Sequence, residues 1–268
     1  MSWFRRRDIW LIPTIYVLFG LALFFMQDRL IFLPDTTPTA QCPTPGETLD
    51  TQTGLRGYYV PVADATGLVV VYHGNAGRAC HRHFYVEPVH EADHSLLLIE
   101  YPGYGETAAH PNVQTLLDHT YVVADHIETL PYQSITLIGE SIGSGFASYH
   151  ATHQDIDHLL LISPLDTLSR RTQRAVLFYP TRWLLRTDLL VSEWAQSAPR
   201  TTIIIAERDE VIPVSHSKSV YAALPEERRT LFTIPEARHN TLYNKPAFQE
   251  ALVTALAKDV VGDHVEPE

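Results

Sequence analysis

The stretch GESIGSG at residues 139–145 directly follows the apolar run ITLI at 135–138. A strand, a glycine-rich turn and a helix in this order can hold a phosphate against the first amides of the helix, or can expose a serine as a nucleophile. The two functions need different glycine spacings and different partner residues elsewhere in the chain. The remainder of the sequence therefore decides which of them this turn performs.

The phosphate-binding alternative fails on spacing. A dinucleotide fingerprint reads G-x-G-x-x-G in the first strand-to-helix turn, because the backbone must approach the pyrophosphate closely at the first two glycines. Here Gly139, Gly143 and Gly145 have the opposite spacing and follow three candidate strands. No Lys-Ser or Lys-Thr pair supports a P-loop either.

The nucleophile alternative matches the pattern G-x-S-x-G, which Gly139, Ser141 and Gly143 complete between a strand and a helix. A serine in such an elbow occupies a strained turn, and side chains at the two glycines would collide with the neighbouring strand and helix. We therefore predict that Ser141 is a nucleophile.

Partner residues for Ser141 follow two later strands. A serine hydroxyl is a weak nucleophile until an imidazole removes its proton, and the imidazole needs a carboxylate to hold its tautomer and stabilise its cation. Asp209 follows the predicted strand 202–206, and His239 follows the predicted strand 231–234. Beyond that last strand the only other histidine is His264, in the polar tail. The order serine, aspartate, histidine is typical of one large group of hydrolases.

Other acids could take the place of Asp209. Asp166 follows the predicted strand 159–162 and could serve in a variant arrangement, while Glu207 and Glu210 flank Asp209. We favour Asp209 because its Asp-x-x-x-Pro loop lies one strand before the histidine.

Acyl transfer also needs hydrogen-bond donors for the oxyanion that develops in the transition state. The amide of Ile142, just after the nucleophile, should supply one donor. The second should come from the loop HGNAG at 73–77, with Asn75 favoured and Ala76 next. His73 is expected to hydrogen-bond within this loop and not to transfer protons.

The fold follows from short apolar runs that alternate with segments of helical period from residue 55 onward. Strands are predicted at 55–60, 68–72, 96–100, 135–138, 159–162, 202–206 and 231–234, and helices at 78–92, 112–130, 142–153, 214–223 and 246–258. This order predicts an α/β domain at 55–258, with a mostly parallel sheet between two layers of helices. The segment 164–199 breaks the alternation and is predicted to form short cap helices that shape a substrate pocket.

The N-terminal part is predicted to anchor the protein in a membrane. A basic segment, 1–8, precedes 18 uncharged residues at 9–26, which as a helix would be about 27 Å long. A cleaved signal peptide is the alternative, but the apolar run is long and no small-x-small cleavage site follows it. The arginines of 1–8 predict a cytoplasmic N-terminus, which places the catalytic domain on the periplasmic or extracellular side.

Two further segments complete the domain organisation. The spacer 27–54 is rich in proline and threonine and is expected to be extended and only partly ordered, and 259–268 is a polar C-terminal tail. Cys42 and Cys80 lack any zinc-binding spacing, and whether they pair is left open.

Composition excludes some partners. The formal net charge of -11 and the absence of a basic stripe beyond the first residues argue against a nucleic-acid binder. The chemistry described above requires no metal or organic cofactor.

Taken together, the motifs resemble the α/β-hydrolase superfamily. They are HGNAG at 73–77, YPGYGET at 101–107, GESIG at 139–143, ERDEVIP at 207–213 and ARHN at 237–240. More narrowly, they resemble membrane-anchored serine hydrolases with an HGNAGN oxyanion loop, a group that includes protein depalmitoylases. The resemblance implies the α/β-hydrolase fold and a triad of Ser141, Asp209 and His239.

Two departures from that group concern the substrate. Arg78 stands where the group usually has asparagine, and 101–103 reads Tyr-Pro-Gly where many relatives have Tyr-Arg-Gly. We expect Arg78 to contact an acidic group on the substrate or on the protein, and Tyr104 to contribute to substrate binding. The sequence thus predicts an anchored hydrolase of small-molecule or lipid-like esters or thioesters. A tethered, non-catalytic binding protein and a serine peptidase are the alternatives.

Overall fold

The computed structural model describes residues 10–38, 41–107 and 109–257. The predicted basic segment 1–8 and the tail 259–268 lie outside the described residues. Nine α-helices occur in the described part, α1 (Leu11–Ile31), α2 (Val86–Glu91), α3 (Val113–Ile127), α4 (Gly143–His150), α5 (Leu168–Gln173), α6 (Thr181–Leu184), α7 (Val191–Trp194), α8 (Val214–Ala223) and α9 (Pro246–Leu256). The strands are β1 (Glu47–Asp50), β2 (Arg56–Val60), β3 (Gly67–Tyr72), β4 (His94–Glu100), β5 (Ser134–Glu140), β6 (His158–Ile162), β7 (Thr201–Ala206) and β8 (Arg229–Ile234).

The strands form one eight-stranded sheet in the order β1-β2-β4-β3-β5-β6-β7-β8. The pairs β1–β2 and β2–β4 are antiparallel, and all other neighbours are parallel. The mostly parallel α/β sheet predicted from the sequence is confirmed. Because β5, β7 and β8 are parallel, the loops that follow them emerge at the same edge of the sheet.

Both faces of the sheet are buried under helices. On β3, Leu68 and Val70 belong to one apolar cluster with Leu116 of α3, while Val69 and Val71 belong to a second cluster that includes helix α9. Each of these strand side chains is fully buried. A strand buried on both faces carries no polar alternation, which explains the continuous apolar runs of the sequence.

Helix α1 is long and apolar enough to cross a membrane, although a signal sequence would meet the same criterion. It begins at Leu11 and runs to Ile31, five residues past the predicted span 9–26, so Gln27, Asp28 and Arg29 are helical. Most of its side chains are exposed, and only Gly20 and Gln27 are buried. The helix packs against the cap, where the Tyr16 and Tyr179 rings stack at 4.4 Å.

The spacer is more ordered than the sequence indicates. Residues 27–31 continue α1, and Glu47–Asp50 form β1 at the edge of the sheet, paired with β2. Cys42 and Cys80 form a disulfide, which closes the question that the sequence left open. Strand β1 has little burial on either face, so it shows no hydrophobic period that could reveal it.

The cap is built from short helices, as predicted. Helices α5, α6 and α7 occupy 168–194 and are followed by a 3-10 turn, Ala195–Ser197. Gly145, the last glycine of the GESIGSG stretch, lies where the cap packs on α4. A Cβ at Gly145 would lie 2.7 Å from Leu189 Cδ1, so the cap sits directly on α4.

Candidate active site

The turn at Ser141 has the geometry of a nucleophile elbow. Ser141 has φ +51°, in the left-handed region that non-glycine residues rarely adopt, and it lies between the last residue of β5 and the start of α4. Its amide donates to Ile162 O at 2.8 Å. A Cβ at Gly139 would lie 2.6 Å from Ser144 Cα, and one at Gly143 would lie 2.2 Å from Tyr72 O. Glycine is therefore required at both positions by the surrounding backbone.

Asp209 and His239 are hydrogen-bonded across the loops that follow β7 and β8. Asp209 Oδ2 lies 2.7 Å from His239 Nδ1, and Asp209 Oδ1 accepts from the amides of Val211 and Ile212 at 2.9 and 2.7 Å. Among the described residues, neither the Ser141 hydroxyl nor His239 Nε2 makes a hydrogen bond. Such contacts are often long in the absence of substrate and shorten when it binds.

The alternative acids have other partners. Asp166 pairs with His216 Nδ1 at 2.5 Å and with the guanidinium of Arg170, so it forms a second buried Asp–His pair away from His239. Glu207 accepts from the Glu236 amide at 2.9 Å, and Glu210 receives only a long contact of 3.4 Å from the His239 amide. Of the four candidate acids, Asp209 alone binds the His239 ring.

The two amides predicted for the oxyanion hole are free to bind a ligand. Within 10–38, 41–107 and 109–257, neither the Asn75 N–H nor the Ile142 N–H donates a hydrogen bond. His73 Nδ1 lies 2.7 Å from Gly74 O, and Tyr101 donates to His73 O at 2.8 Å. His73 thus holds the loop, as expected from the sequence.

Glu140, the variable residue of the G-x-S-x-G pattern, ties the elbow to the oxyanion loop. Its carboxylate is 1% exposed and accepts from Gly74 N at 3.0 Å, Arg82 Nε at 2.9 Å and Tyr85 Oη at 2.7 Å. Burial, followed by the charge of Glu140, raises the pKa of Tyr85 well above 10.0, so its hydroxyl remains a donor. Sequence reasoning missed this role, because the pattern leaves the position free.

The side chain of Asn75 connects the same loop to the end of α1. Asn75 Nδ2 donates to Ile31 O at 2.6 Å, and Asn75 Oδ1 accepts from Leu33 N at 3.0 Å and from Tyr104 Oη at 3.0 Å. The carboxamide therefore caps a carbonyl that the helix end leaves without an intrahelical partner. Asn75, whose backbone amide is the predicted oxyanion donor, therefore also holds the end of the predicted membrane helix with its side chain.

The two predicted substrate-binding residues are deeply buried. Arg78 is 4% exposed, and its Nε donates to Glu100 Oε2 at 2.9 Å, so the acidic group it meets here belongs to the protein. Burial alone would raise the pKa of Glu100, but His73 and Arg78 outweigh it and lower that pKa. His73 Nε2 stays 3.7 Å from Glu100 Oε1, beyond hydrogen-bond length. Arg78 and Tyr104 also line a cavity of about 370 Å³ beside β1 and β2, and their role in substrate binding remains a prediction.

Replacing Glu140 by Ala is expected to lower the free energy of unfolding by about 3–5 kcal/mol, because Arg82 and Tyr85 would lose their buried partner. For a domain of this size, that corresponds to a fall in Tm of roughly 6–20 °C. Thermal unfolding followed by circular dichroism measures the change.

Arg208→Gln is the matched control, since it breaks the ion pair between Arg208 and Glu236, whose side chains are 61% and 60% exposed. Exposed pairs of this kind contribute less than about 1 kcal/mol. Equal losses in the two variants would show that Glu140 has no special structural role.

No family model matches the sequence. Its sequence is similar to those of two other proteins, among others. The uncharacterized protein Rv2307c of Mycobacterium tuberculosis is 28% identical over 227 residues, which cover 80% of each chain. The alpha/beta hydrolase domain-containing protein aho-3 of Caenorhabditis elegans is 29% identical over 160 residues, covering 57% of this chain and 46% of that protein.

Solved structures establish the fold. The chain aligns with the Pyrococcus furiosus esterase Pf2001 at a TM-score of 0.66 and 18% identity, covering 87% of this chain and 99% of the esterase. It aligns with the Exiguobacterium antarcticum esterase EaEST at a TM-score of 0.60 and 16% identity, covering 79% and 99%. The protein therefore has the α/β-hydrolase fold.

Proposed function

We propose that this protein is a membrane-anchored serine hydrolase that cleaves carboxylic esters or thioesters through an acyl-enzyme. The observation that carries the proposal is the Asp209–His239 pair, which lies at the same sheet edge as a serine held at positive φ. The esterase neighbours support hydrolysis of small ester substrates.

In the proposed reaction, Ser141 Oγ attacks the carbonyl carbon while His239 Nε2 takes its proton. The amides of Asn75 and Ile142 hold the oxyanion of the tetrahedral intermediate. Collapse of this intermediate expels the alcohol or thiol, which receives the proton from His239. Water then attacks the acyl-enzyme, again losing a proton to His239, and the acid leaves as Ser141 regains its hydrogen.

Asp209 acts through His239. Its hydrogen bond at Nδ1 keeps the proton on that nitrogen and leaves Nε2 as the acceptor that Ser141 requires. Its other oxygen is held by two backbone amides, so the carboxylate cannot rotate away from the imidazole without breaking both bonds.

The anchor belongs to the proposal as well. Helix α1 would cross the membrane with the basic N-terminal segment in the cytoplasm and the hydrolase domain on the opposite side. The Cys42–Cys80 disulfide supports a location of the hydrolase domain outside the cytoplasm, because disulfides persist mainly outside the reducing cytosol. The similarity of the HGNAG loop to that of the depalmitoylase-containing group supports lipid-like acyl chains as substrates.

Reaction with a fluorophosphonate probe, followed by hydrolysis of ester, thioester and amide substrates with the same acyl chain, tests the proposal. We expect the purified, detergent-solubilised protein to be labelled, heat-denatured protein to remain unlabelled, and turnover to be confined to the ester or thioester. If the native protein is not labelled, the proposed hydrolase activity is wrong and the alternative of a non-catalytic binding protein is supported. Preferred cleavage of the amide would indicate a peptidase.

A further inference from the structure

We propose that the tip of the cap, residues 176–186, inserts into the membrane leaflet on the side of the hydrolase domain, with anionic phospholipid headgroups bound by Arg174 and Arg182. This segment is called the cap tip below. The inference rests on the membrane anchorage in the proposed function, and it concerns a surface that the catalytic reaction does not use. Its occupant is a lipid bilayer.

The cap tip exposes large apolar side chains to an unusual degree. Leu177, Phe178 and Trp183 are 72%, 85% and 82% exposed. In the described residues outside α1, the other exposed large apolar side chains are Trp10, next to the first residue of α1, Leu33 and Tyr121, at 70%, 60% and 45%. A cluster of this kind on one short segment is a sign of a contact surface.

Packing against α1 sets the depth of the cap tip. Tyr16 stacks on Tyr179 and donates to Phe178 O at 2.7 Å, while Tyr179 Oη donates to Tyr16 O at 2.8 Å. Nearer the end of the helix, the Arg186 amide donates to Gln27 Oε1 at 2.9 Å. Ten residues separate Tyr16 from the end of the uncharged run at residue 26, a rise of about 15 Å. If α1 spans a hydrocarbon core of about 30 Å, the cap tip beside Tyr16 lies well inside it.

Three consecutive backbone carbonyls of the cap tip, those of residues 176–178, already accept hydrogen bonds within the protein. Val176 O accepts from Tyr179 N at 2.9 Å and from Gln173 Nε2 at 3.2 Å, and Leu177 O accepts from the same Gln173 nitrogen at 3.2 Å. With Phe178 O bound by Tyr16, three consecutive carbonyls need no water. Such satisfaction is necessary for backbone that enters lipid.

Positive charge surrounds the cap tip in an otherwise acidic protein. A cavity of about 400 Å³ is lined by Arg170, Arg174 and Arg182 together with Leu177. Arg170 pairs with Asp166, whereas Arg174 and Arg182 have no ion pair in the described part of the chain. Long arginine side chains beside exposed apolar residues can reach headgroup level while the apolar groups insert. The net charge of -11 makes a general attraction to anionic lipid unfavourable. The local arginine cluster is therefore the feature whose charge is complementary to anionic headgroups.

Fluorescence quenching in vesicles tests the inference on the full chain. Replacing Trp3, Trp10 and Trp194 by Phe leaves Trp183 as the only tryptophan. In phosphatidylglycerol vesicles containing lipids brominated on the acyl chain, we expect blue-shifted Trp183 emission that is quenched several-fold. Quenching should be weaker in phosphatidylcholine vesicles, and Arg174→Gln with Arg182→Gln should remove the difference.

The matched control moves the tryptophan to a remote surface. Thr254→Trp in a Trp183→Phe background places the reporter at an exposed position on α9, which packs on the other face of the sheet. Unquenched emission is expected there. Retention of the chain in vesicles after alkaline carbonate extraction reports α1 separately. If the chain is retained but Trp183 is not quenched, insertion of the cap tip is wrong and membrane anchorage by α1 stands. If the chain is lost on extraction, both the insertion of the cap tip and the anchorage by α1 are wrong.

Discussion

Replacing Ser141 by Ala is expected to reduce kcat for ester hydrolysis by about a million-fold and to abolish fluorophosphonate labelling, because the acyl-enzyme can no longer form. The remaining rate would come from substrate binding and the oxyanion amides alone. Fold should be kept, since the Ser141 hydroxyl makes no hydrogen bond to any residue that the structure describes. Steady-state kinetics on a chromogenic ester, with circular dichroism as a check on folding, measure the effect.

Ser163→Ala is a closely matched control for that experiment. Ser163 also follows a parallel strand, β6, at positive φ (+45°), and its amide extends the ladder to Ile204 O at 2.8 Å, as the Ser141 amide does to Ile162 O. Its hydroxyl is buried and has no hydrogen-bond partner among the residues that the structure describes. We expect full labelling and near-normal turnover for Ser163→Ala. If labelling is lost in Ser163→Ala but kept in Ser141→Ala, the nucleophile is Ser163 and not Ser141.

The parts of the site that could be predicted are those fixed by local pattern and strand order. The glycines around Ser141 show their cause in the structure, because any Cβ there would meet backbone atoms. Continuous apolar runs revealed the buried parallel strands, and parallel strands bring the loops that follow them to one edge. Those two facts were sufficient to place Ser141, Asp209 and His239 at that edge.

Features that depend on long-range contact could not be predicted. Strand β1 is short, polar and largely exposed, so only its pairing with β2 defines it. The bond between Asn75 and Ile31 O joins residues 44 positions apart, and Glu140 meets Arg82 across 58 positions. Neither pair has a spacing that a local pattern could reveal.

Asp209→Asn is expected to lower kcat by about 10⁴-fold with little change in KM. The structure gives the reason at atomic level. Asp209 Oδ1 accepts from the amides of Val211 and Ile212, and the Asn carbonyl oxygen would keep both bonds. Its NH₂ group would then face His239 Nδ1 and donate to it, which moves the imidazole proton to Nε2. That nitrogen could no longer accept a proton from Ser141. Steady-state kinetics with the same ester measure the loss.

Asp166→Asn makes the control unusually direct, because Asp166 and His216 form a second buried carboxylate–imidazole pair in the same protein. We expect this variant to lose stability, since Asp166 also holds Arg170 and the Thr167 amide, while kcat remains unchanged. The two variants remove the same charge from the same kind of pair, so their difference isolates the catalytic role from the structural one. If turnover instead disappears in Asp166→Asn and persists in Asp209→Asn, the proposed triad is wrong, and His216 becomes the residue to test as the base.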